Sequence, residues 1–411
     1  MPAKGKGKGK KRGKGNSNNR DPDDPIPNYK ILPFIPDILS LLPVKSLLRF
    51  KCVCKQWRNL ISKPDFVATH YAHSSALQRK VNSSVIIQTR HEESSDHAVL
   101  LYKFPKSFVE LENPFPFFFP GMSIVGPANG ILCLFQPPWG DVITLWNPAM
   151  KMSRMVKLSK TKPVENVHVI VSIGLAFDSE KNDLLILRIF CVGSKSTVPN
   201  HVEIRSMKNA LGWDELKTNL DFYIVDCTCD AIIKGVPYWL AHITDPLYGL
   251  REALVRFDVG KMEFEILPMP EYIADGSKKK YLANFEDSPG MLIWEEKDGC
   301  LVHVWLMDEL EGWRKRRSIG PLFGFTTILS CLWNGYIVVE GNDGMPILFD
   351  PVAYSIKARF NVVNNKKGSY FIFECPESLF QIEGMVTVKM PTARESTRKR
   401  MLRECDPYFM R

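Results

Sequence analysis

Apolar positions along this chain follow two grammars, and the change between them comes near residue 80. From Pro36 to Phe66 the pattern is helical: Val44, Leu47, Leu48 and Cys52 recur at three- and four-residue spacings, and Trp57, Leu60 and Ile61 repeat that spacing one helix further on. Pro43 suits a first helical position, where its missing N–H would have had no partner, and Pro64 ends the pattern. The spacing predicts two or three short amphipathic helices in about thirty residues, with a further short helix over Asp65 to Leu77. So small a module lies below the roughly 40 residues at which a chain closes a core unaided. Part of its apolar surface is therefore expected to meet another protein.

After a polar stretch at 79–84 the period changes to runs of four to eight β-branched and aromatic residues separated by Gly, Pro, Asn and Asp. VIIQT, ILCLF (131–135), VHVIVSIGLAF (167–177), LLILRIF (184–190), YIVVE (336–340) and YFIF (370–373) are examples, and no long helical pattern interrupts them. The fold class expected is α+β by segregation: a small helical module followed by an all-β domain of about 300 residues. A loose repeat shapes that domain. Asn129-Gly130, Lys234-Gly235, Asp298-Gly299 and Asn334-Gly335 each precede an apolar strand, as a hairpin turn needing positive φ demands. Trp146-Asn147-Pro148, Phe257-Asp258-Val259 and Phe349-Asp350-Pro351 follow three of them, and two strands lead to a Gly-Trp, at Trp213 and Trp313. Gly130 to Gly235 to Gly335 gives intervals of 105 and 100 residues, about two blades each of a β-propeller. Their irregularity leaves a large sandwich open.

Charge adds a boundary rather than a function. The chain of 411 residues carries a formal +9, but residues 1–20 hold six Lys and two Arg with no acid, leaving 46 bases against 45 acids elsewhere. The Lys/Gly-rich arm over 1–29 has little to bury and is expected to be disordered, as a solubilising tail, a nuclear-import signal or a loose phosphate-backbone binder. Between Val44 and Lys63 lie six bases (Lys45, Arg49, Lys51, Lys55, Arg58, Lys63) and no acid, a face that suits an acidic partner. Ten cysteines without a Cys-x-x-Cys pair and without a secretory leader point to free thiols in a reducing compartment, hence nucleus or cytoplasm. No run approaches eighteen apolar residues, so no membrane span is expected.

The helical string carries a specific resemblance. LLPVKSLLRFKCVCKQWRNLIS (41–62) with Pro64-Asp65-Phe66 closely resembles the F-box, a module that docks a Skp-type adaptor and through it a cullin ubiquitin ligase. F-boxes of this type open with Leu-Pro, about six residues, then Ile-Leu; here Leu32-Pro33 is followed after only four residues by Ile38-Leu39. Either the first helix is clipped, or Ile35-Pro36 takes the Leu-Pro role with Asp37 as the acidic position. Further on, GPANGILCLF, LWNPAMKMSRMV, IGLAFDSEKNDLLILRIF, IKGVPYWLA, LVRFDVGKMEFEILPMP, VHVWLMDELEGWRK and PESLFQIEG look, in that order, like the F-box-associated domain of plant F-box proteins. The resemblance implies a substrate receptor whose F-box binds the adaptor and whose propeller-like domain captures a client protein for ubiquitination. It places adaptor contacts on Pro36, Ile38, Leu39, Leu42, Pro43, Leu47, Leu48 and Trp57. The expected partition is an arm over 1–29, the F-box and linker over 30–78, the β domain over 79–388 and a charged tail over 389–411.

Catalytic signatures are missing. There is no Gly-x-Ser-x-Gly, phosphate loop, dinucleotide fingerprint or His-Glu-x-x-His, so no enzyme and no cofactor are expected. Cys52/Cys54 and Cys227/Cys229 lack zinc spacing and a nearby His set, so no metal is expected. His168, His242 and His303 read as hydrogen-bonded structural histidines, and Cys133, Cys191 and Cys331 as inert core residues. Client contacts are sought on loops: Phe117 and Phe118 in ENPFPFFFPG, where inward packing is the competing reading, then Trp139 in QPPWGD and Tyr248 in DPLYGL. The alternative function is nucleic-acid binding through the basic arm and helices. Against it, the body is near neutral and no cluster interleaves bases with stacking aromatics.

Overall fold

The computed structural model describes residues 34–80, 84–90, 99–103, 107–110, 122–136, 143–157, 159, 169–192, 201–209, 212–218, 220–224, 226–245, 249–285, 287–296, 299–308, 310–360 and 369–388. Four helices open it: α1 (Ile35–Ser40), α2 (Val44–Phe50), α3 (Lys55–Ile61) and α4 (Pro64–Lys80). Pro64 begins α4 rather than merely closing α3, taking the first-turn position a proline tolerates. Pro43 stands one place before the expected position, as the N-cap of α2. Pro36 sits in the first turn of α1, which has six residues, so the helix is short and Ile35-Pro36 opens it.

The β region forms six antiparallel sheets of four or five strands. The first combines β1 (Ser84–Arg90), β2 (Val99–Lys103) and β3 (Ser107–Glu110) with a strand from the far end of the chain. The second contains β4 (Ser123–Ala128), β5 (Ile131–Phe135), β6 (Ile143–Asn147) and β7 (Met152–Val156). The third is β8 (Val169–Asp178), β9 (Asp183–Val192), β10 (His201–Ser206) and β11 (Asp214–Glu215). The fourth is β12 (Phe222–Ile224), β13 (Ala231–Ile233), β14 (Val236–Asp245), β15 (Gly249–Asp258) and β16 (Glu263–Leu267). After the one-turn α5 (Glu271–Ala274), the fifth holds β17 (Lys279–Phe285), β18 (Ser288–Glu296), β19 (Cys300–Asp308) and β20 (Gly312–Leu322). The sixth holds β21 (Phe325–Cys331), β22 (Ile337–Gly341), β23 (Pro346–Asp350) and β24 (Ser355–Arg359).

Two late strands close the ring. β25 (Ser369–Glu374) pairs with β1, from Val85 opposite Glu374 to Arg90 opposite Ser369, so the first sheet takes its innermost strand from the C-terminal side. β26 (Val386–Thr387) pairs with β7 on the outside of the second sheet. Inner strands then meet in succession, β25 to β4 to β8, β13 to β17 to β21, and β21 back to β25. The arrangement is a β-propeller, and the sandwich is set aside. Its core is spread between blades, with apolar clusters at the seams of the second through fourth, fourth and fifth, fifth and sixth, sixth and first, and first and second sheets.

The sequence repeat maps onto this frame. Asn129-Gly130 and Lys234-Gly235 make the first hairpins of alternate blades with φ of 49° and 79°, then 50° and 80°, the left-handed pair that a tight hairpin requires. Asn334-Gly335 occupies the same place in the sixth blade, so each hundred-residue interval spans two blades. Gly299 differs, lying just before the third strand of its blade, and Asp298 lies outside the described residues. At the ends of third strands the Asn or Asp side chain closes the outer turn. Asn147 Oδ1 accepts from Met150 N–H at 3.0 Å, Asp258 from Lys261 at 2.9 Å and Asp350 from Val352 at 2.8 Å.

Candidate functional site

The helical module is built around Leu39, Val44, Leu47, Ile61 and Phe66, which bury their side chains together with Leu379 from the propeller side. α1 then turns a second apolar stripe outward. Phe34, Ile38 and Leu41 follow i, i+4, i+7 spacing and are 54%, 54% and 65% exposed, and Val53 between α2 and α3 is exposed as well. A six-residue helix with apolar residues on both faces is not finished by its own fold. On α2 and α3, Lys45, Arg49, Lys55 and Arg58 are exposed, while burial pulls the Lys51 ammonium below its ordinary pKa.

Local chemistry fixes each helix. Pro43 brings no capping side chain to α2, and the Val44 N–H is instead accepted by Glu377 Oε2 at 2.9 Å. Cys54 caps α3, its Sγ accepting from Trp57 N–H at 3.4 Å, which gives one member of the Cys-x-Cys pair a structural task. The Trp57 ring meets Phe50 edge-on at 5.2 Å and is half-buried. His70 on α4 donates from Nε2 to the Leu42 carbonyl at 2.9 Å, and Ser40 is hydrogen-bonded to His73 at 2.9 Å, locking α1 to α4.

The eight expected adaptor residues are thus not equivalent. Ile38 and Pro43 are exposed, and Pro36, Leu42, Leu48 and Trp57 are half-buried at the module's surface. Leu39 and Leu47, at 2% and 0% exposure, are corrected: they face inward, because a helix this short must spend one stripe on its own core. Phe34, Leu41 and Val53 were missed. For Leu41 the i, i+3 spacing from Ile38 was a signal available in the sequence. Phe117, Phe118, Trp139 and Tyr248 lie outside the described residues.

The module is fastened to the propeller by the segment 375–385. Gln78 Nε2 donates to the Cys375 carbonyl at 3.2 Å, and Asn147 Nδ2 donates to the carbonyls of Ser378 and Phe380 at 3.0 and 2.9 Å. At the end of α4, Arg79 pairs with Asp287 at 2.5 Å and lies over the Trp333 ring at 5.6 Å. The hairpin at Gly130 admits no side chain, since a Cβ there would stand 2.2 Å from Ser378 Cβ.

A second concavity runs along the propeller axis, about 310 Å³, walled by β4, β13, β17, β21 and β25. β8 is held back from it, because residues 227–229 pair across its inner edge: Ile173 N–H donates to the Cys227 carbonyl and Cys229 N–H to the Ile173 carbonyl, each at 3.0 Å. Asp226, Asp230 and Glu374 face the channel, with Tyr281 donating to Ser330 Oγ at 3.2 Å. Burial pushes the Asp230 carboxyl up to about 7, against the Leu240 N–H it accepts at 2.7 Å, and the Tyr281 phenol up to about 12. Among the described residues no cluster of His, Cys, Asp or Glu has metal-binding geometry. His303 bridges Ser318 at 2.8 Å and Glu295 at 3.3 Å, as expected of a hydrogen-bonded structural histidine; His242 instead stacks on Tyr223, and its buried Nδ1 has no hydrogen-bond partner among the described residues; His168 lies outside the described residues. Cys133, Cys191 and Cys331 are buried, with thiols pushed up by burial, Cys191 to about 11.

The chain joins a helical module with an open apolar stripe to a β-propeller, and residues 34–69 of that module match the F-box domain. Residues 102–332, more than half of the chain, match the F-box associated beta propeller domain: the chain belongs to that family. It is similar to an F-box/kelch-repeat protein of Arabidopsis thaliana, 25% identical over 323 residues, 76% of this chain and 85% of the relative. An F-box protein of Arabidopsis thaliana is 28% identical over 278 residues, 64% of this chain and 69% of the relative. Among solved structures, an exo-beta-1,3-galactanase from Phanerochaete chrysosporium overlaps with a TM-score of 0.31 at 10% identity, over 66% of this chain and 65% of its own. A likeness that slight carries no chemistry across.

Proposed function

We propose that the chain is the substrate-receptor subunit of an SCF-type (Skp–cullin–F-box) ubiquitin ligase, non-catalytic itself, working in the nucleus or cytoplasm. The observation that carries this is the solvent-facing stripe of Phe34, Ile38 and Leu41 on a module of F-box type. A Skp-type adaptor covers the stripe, the cations of α2 and α3 steer the encounter, and the adaptor brings a cullin. The propeller holds a client protein. Ubiquitin chemistry belongs to other subunits, and this chain contributes proximity: Glu377, Gln78 and Arg79 hold the two ends in one orientation, so a client is presented at a fixed place.

Affinity capture tests it. Full-length protein is expected to retain a Skp-type adaptor and, through it, a cullin, and a client is expected to accumulate in the captured material when the proteasome is blocked. Folded protein that leaves the adaptor behind overturns the reading.

A further inference from the structure

We propose that the outer edge of β20 is where the propeller takes an acidic, extended segment of its client, adding it as a further strand; this rests on the receptor reading above. Four consecutive bases, Arg314, Lys315, Arg316 and Arg317, lie on β20, the outermost strand of the fifth blade, and no strand pairs its far side among the described residues.

β20 itself carries bulges, Pro321 and a run of cations, features that keep an edge from pairing indiscriminately, so what singles it out among the outer edges is its length and its unpaired charge. β7 is covered by β26, β3 has four residues, β11 has two, and β16 and β24 have five each, whereas β20 has eleven. Cations on β24 are neutralised within their blade, Lys357 by Asp350 at 3.2 Å and Arg359 by Asp343 at 3.3 Å. On β20 only Arg314 is matched, by Glu311, and the nearby Asp308 carboxylate is engaged by the N–H groups of Leu310 and Glu311. Lys315, Arg316 and Arg317 have no carboxylate at salt-bridge distance among the described residues, which leaves this edge three positive charges in a body that is otherwise near neutral.

Shape supports the same ligand. The register with β19 jumps between Val304, opposite Arg317, and Trp305, opposite Lys315, so Arg316 is a bulged extra residue and the cations fan out instead of alternating strictly. Beside them a cleft of about 360 Å³ is lined by Leu306 and Met307, by the cations Arg314, Lys315 and Arg316, and by the carboxylates of Asp308 and Glu311. An added strand uses all of this: main-chain bonds to the open edge, acidic side chains to the cations, and alternate apolar side chains into the cleft. A nucleic-acid backbone would use the charge alone.

The test uses full-length protein and a fluorescein-labelled octapeptide alternating glutamate with valine, read by anisotropy. Binding is expected, weakening as salt rises. Replacing glutamate by glutamine, or N-methylating alternate amides, is expected to weaken it about tenfold or more. K315E/R316E does the same, whereas K357E, which removes a cation already paired, leaves it unchanged. A photo-crosslinker on the peptide, applied to the unaltered protein, is expected to label residues 312–322. Absence of binding, crosslinks confined elsewhere, equal affinity for an oligonucleotide, or a dimer that K315E/R316E dissolves would each overturn the proposal. Adaptor capture is scored separately: adaptor retained without peptide binding removes only this inference, and peptide binding without adaptor capture removes the receptor reading.

Discussion

Glu377 Oε2 lies 2.9 Å from the Val44 nitrogen, joining residues 333 positions apart. α2, whose own N-cap residue makes no side-chain cap, receives one from the far end of the chain, as a carboxylate placed at the helix's positive pole. Because Pro43 has no side-chain acceptor to offer, Glu377→Ala leaves the Val44 N–H without its carboxylate partner. The expected cost is about 1–2 kcal/mol, seen as amide exchange about 5–30-fold faster through α1 to α3 with the propeller strands unaffected. Unchanged exchange in α2 would show that the contact adds nothing.

Acid is expected to loosen the same joint. His70 is buried, and desolvation lowers its pKa, with His73 adding to that and the Leu42 bond and Glu377 opposing it. The unfolded chain takes a proton near the usual imidazole value of about 6.5, which the folded site resists, so this contribution is complete above that pH and is lost as pH falls from there through the lowered folded-state value. Amide exchange in α1 and α4 between pH 8 and 5.5 checks this. His70→Gln should flatten the dependence, and an equal slope in the variant would exclude His70 as its source.

Trp213 and Trp313 stand at the same place in alternate blades. Each indole N–H reaches a carbonyl just past the outer strand of the preceding blade, Lys157 at 2.8 Å and Pro268 at 3.0 Å. Trp313→Phe keeps most of the packing and drops the bond, for about 1 kcal/mol, while Trp313→Ala should cost about 3 kcal/mol or more. Thermal or denaturant unfolding separates the two. Equal losses would mean that packing carries the whole effect.

In the axial channel the raised Asp230 pKa makes the carboxylate a liability at high pH. Its protonated form is favoured in the fold, so stability is highest below the unfolded carboxyl pKa of about 3.9 and declines as pH rises through about 7. Asp230→Asn keeps an acceptor for Leu240 N–H and removes that penalty. The variant should be more stable than the parent at pH 8, on the order of 1–2 kcal/mol, and the gap should close toward pH 4. A variant less stable at pH 8 would contradict this.

Much of the architecture was legible because its signals are local. Asn-Gly turns, outer-turn Asn and Asp residues and apolar runs report backbone conformation directly, and three of the four Gly-pair turns open blades as the hundred-residue intervals imply. What stayed hidden is long-range. Closure of the first blade by β25, the cap from Glu377 and the burial of Leu39 and Leu47 against Leu379 depend on residues some three hundred positions away. Nor does spacing alone tell which stripe of a six-residue helix faces inward, which is why Leu39 was grouped with Ile38. The basic run in GWRKRRSIG was passed over in the sequence, where the stretch read only as a strand and a Gly-Trp, because its meaning depends on this strand being outermost.

The most direct test of the account is titration of a purified Skp-type adaptor into full-length protein, beside the double variant Ile38→Asp/Leu41→Asp. Both side chains are exposed, so the variant should melt with the parent. The account predicts a one-to-one complex for the parent and affinity at least about a hundredfold lower for the variant. A folded parent that does not bind, or a variant that binds equally well, would contradict it.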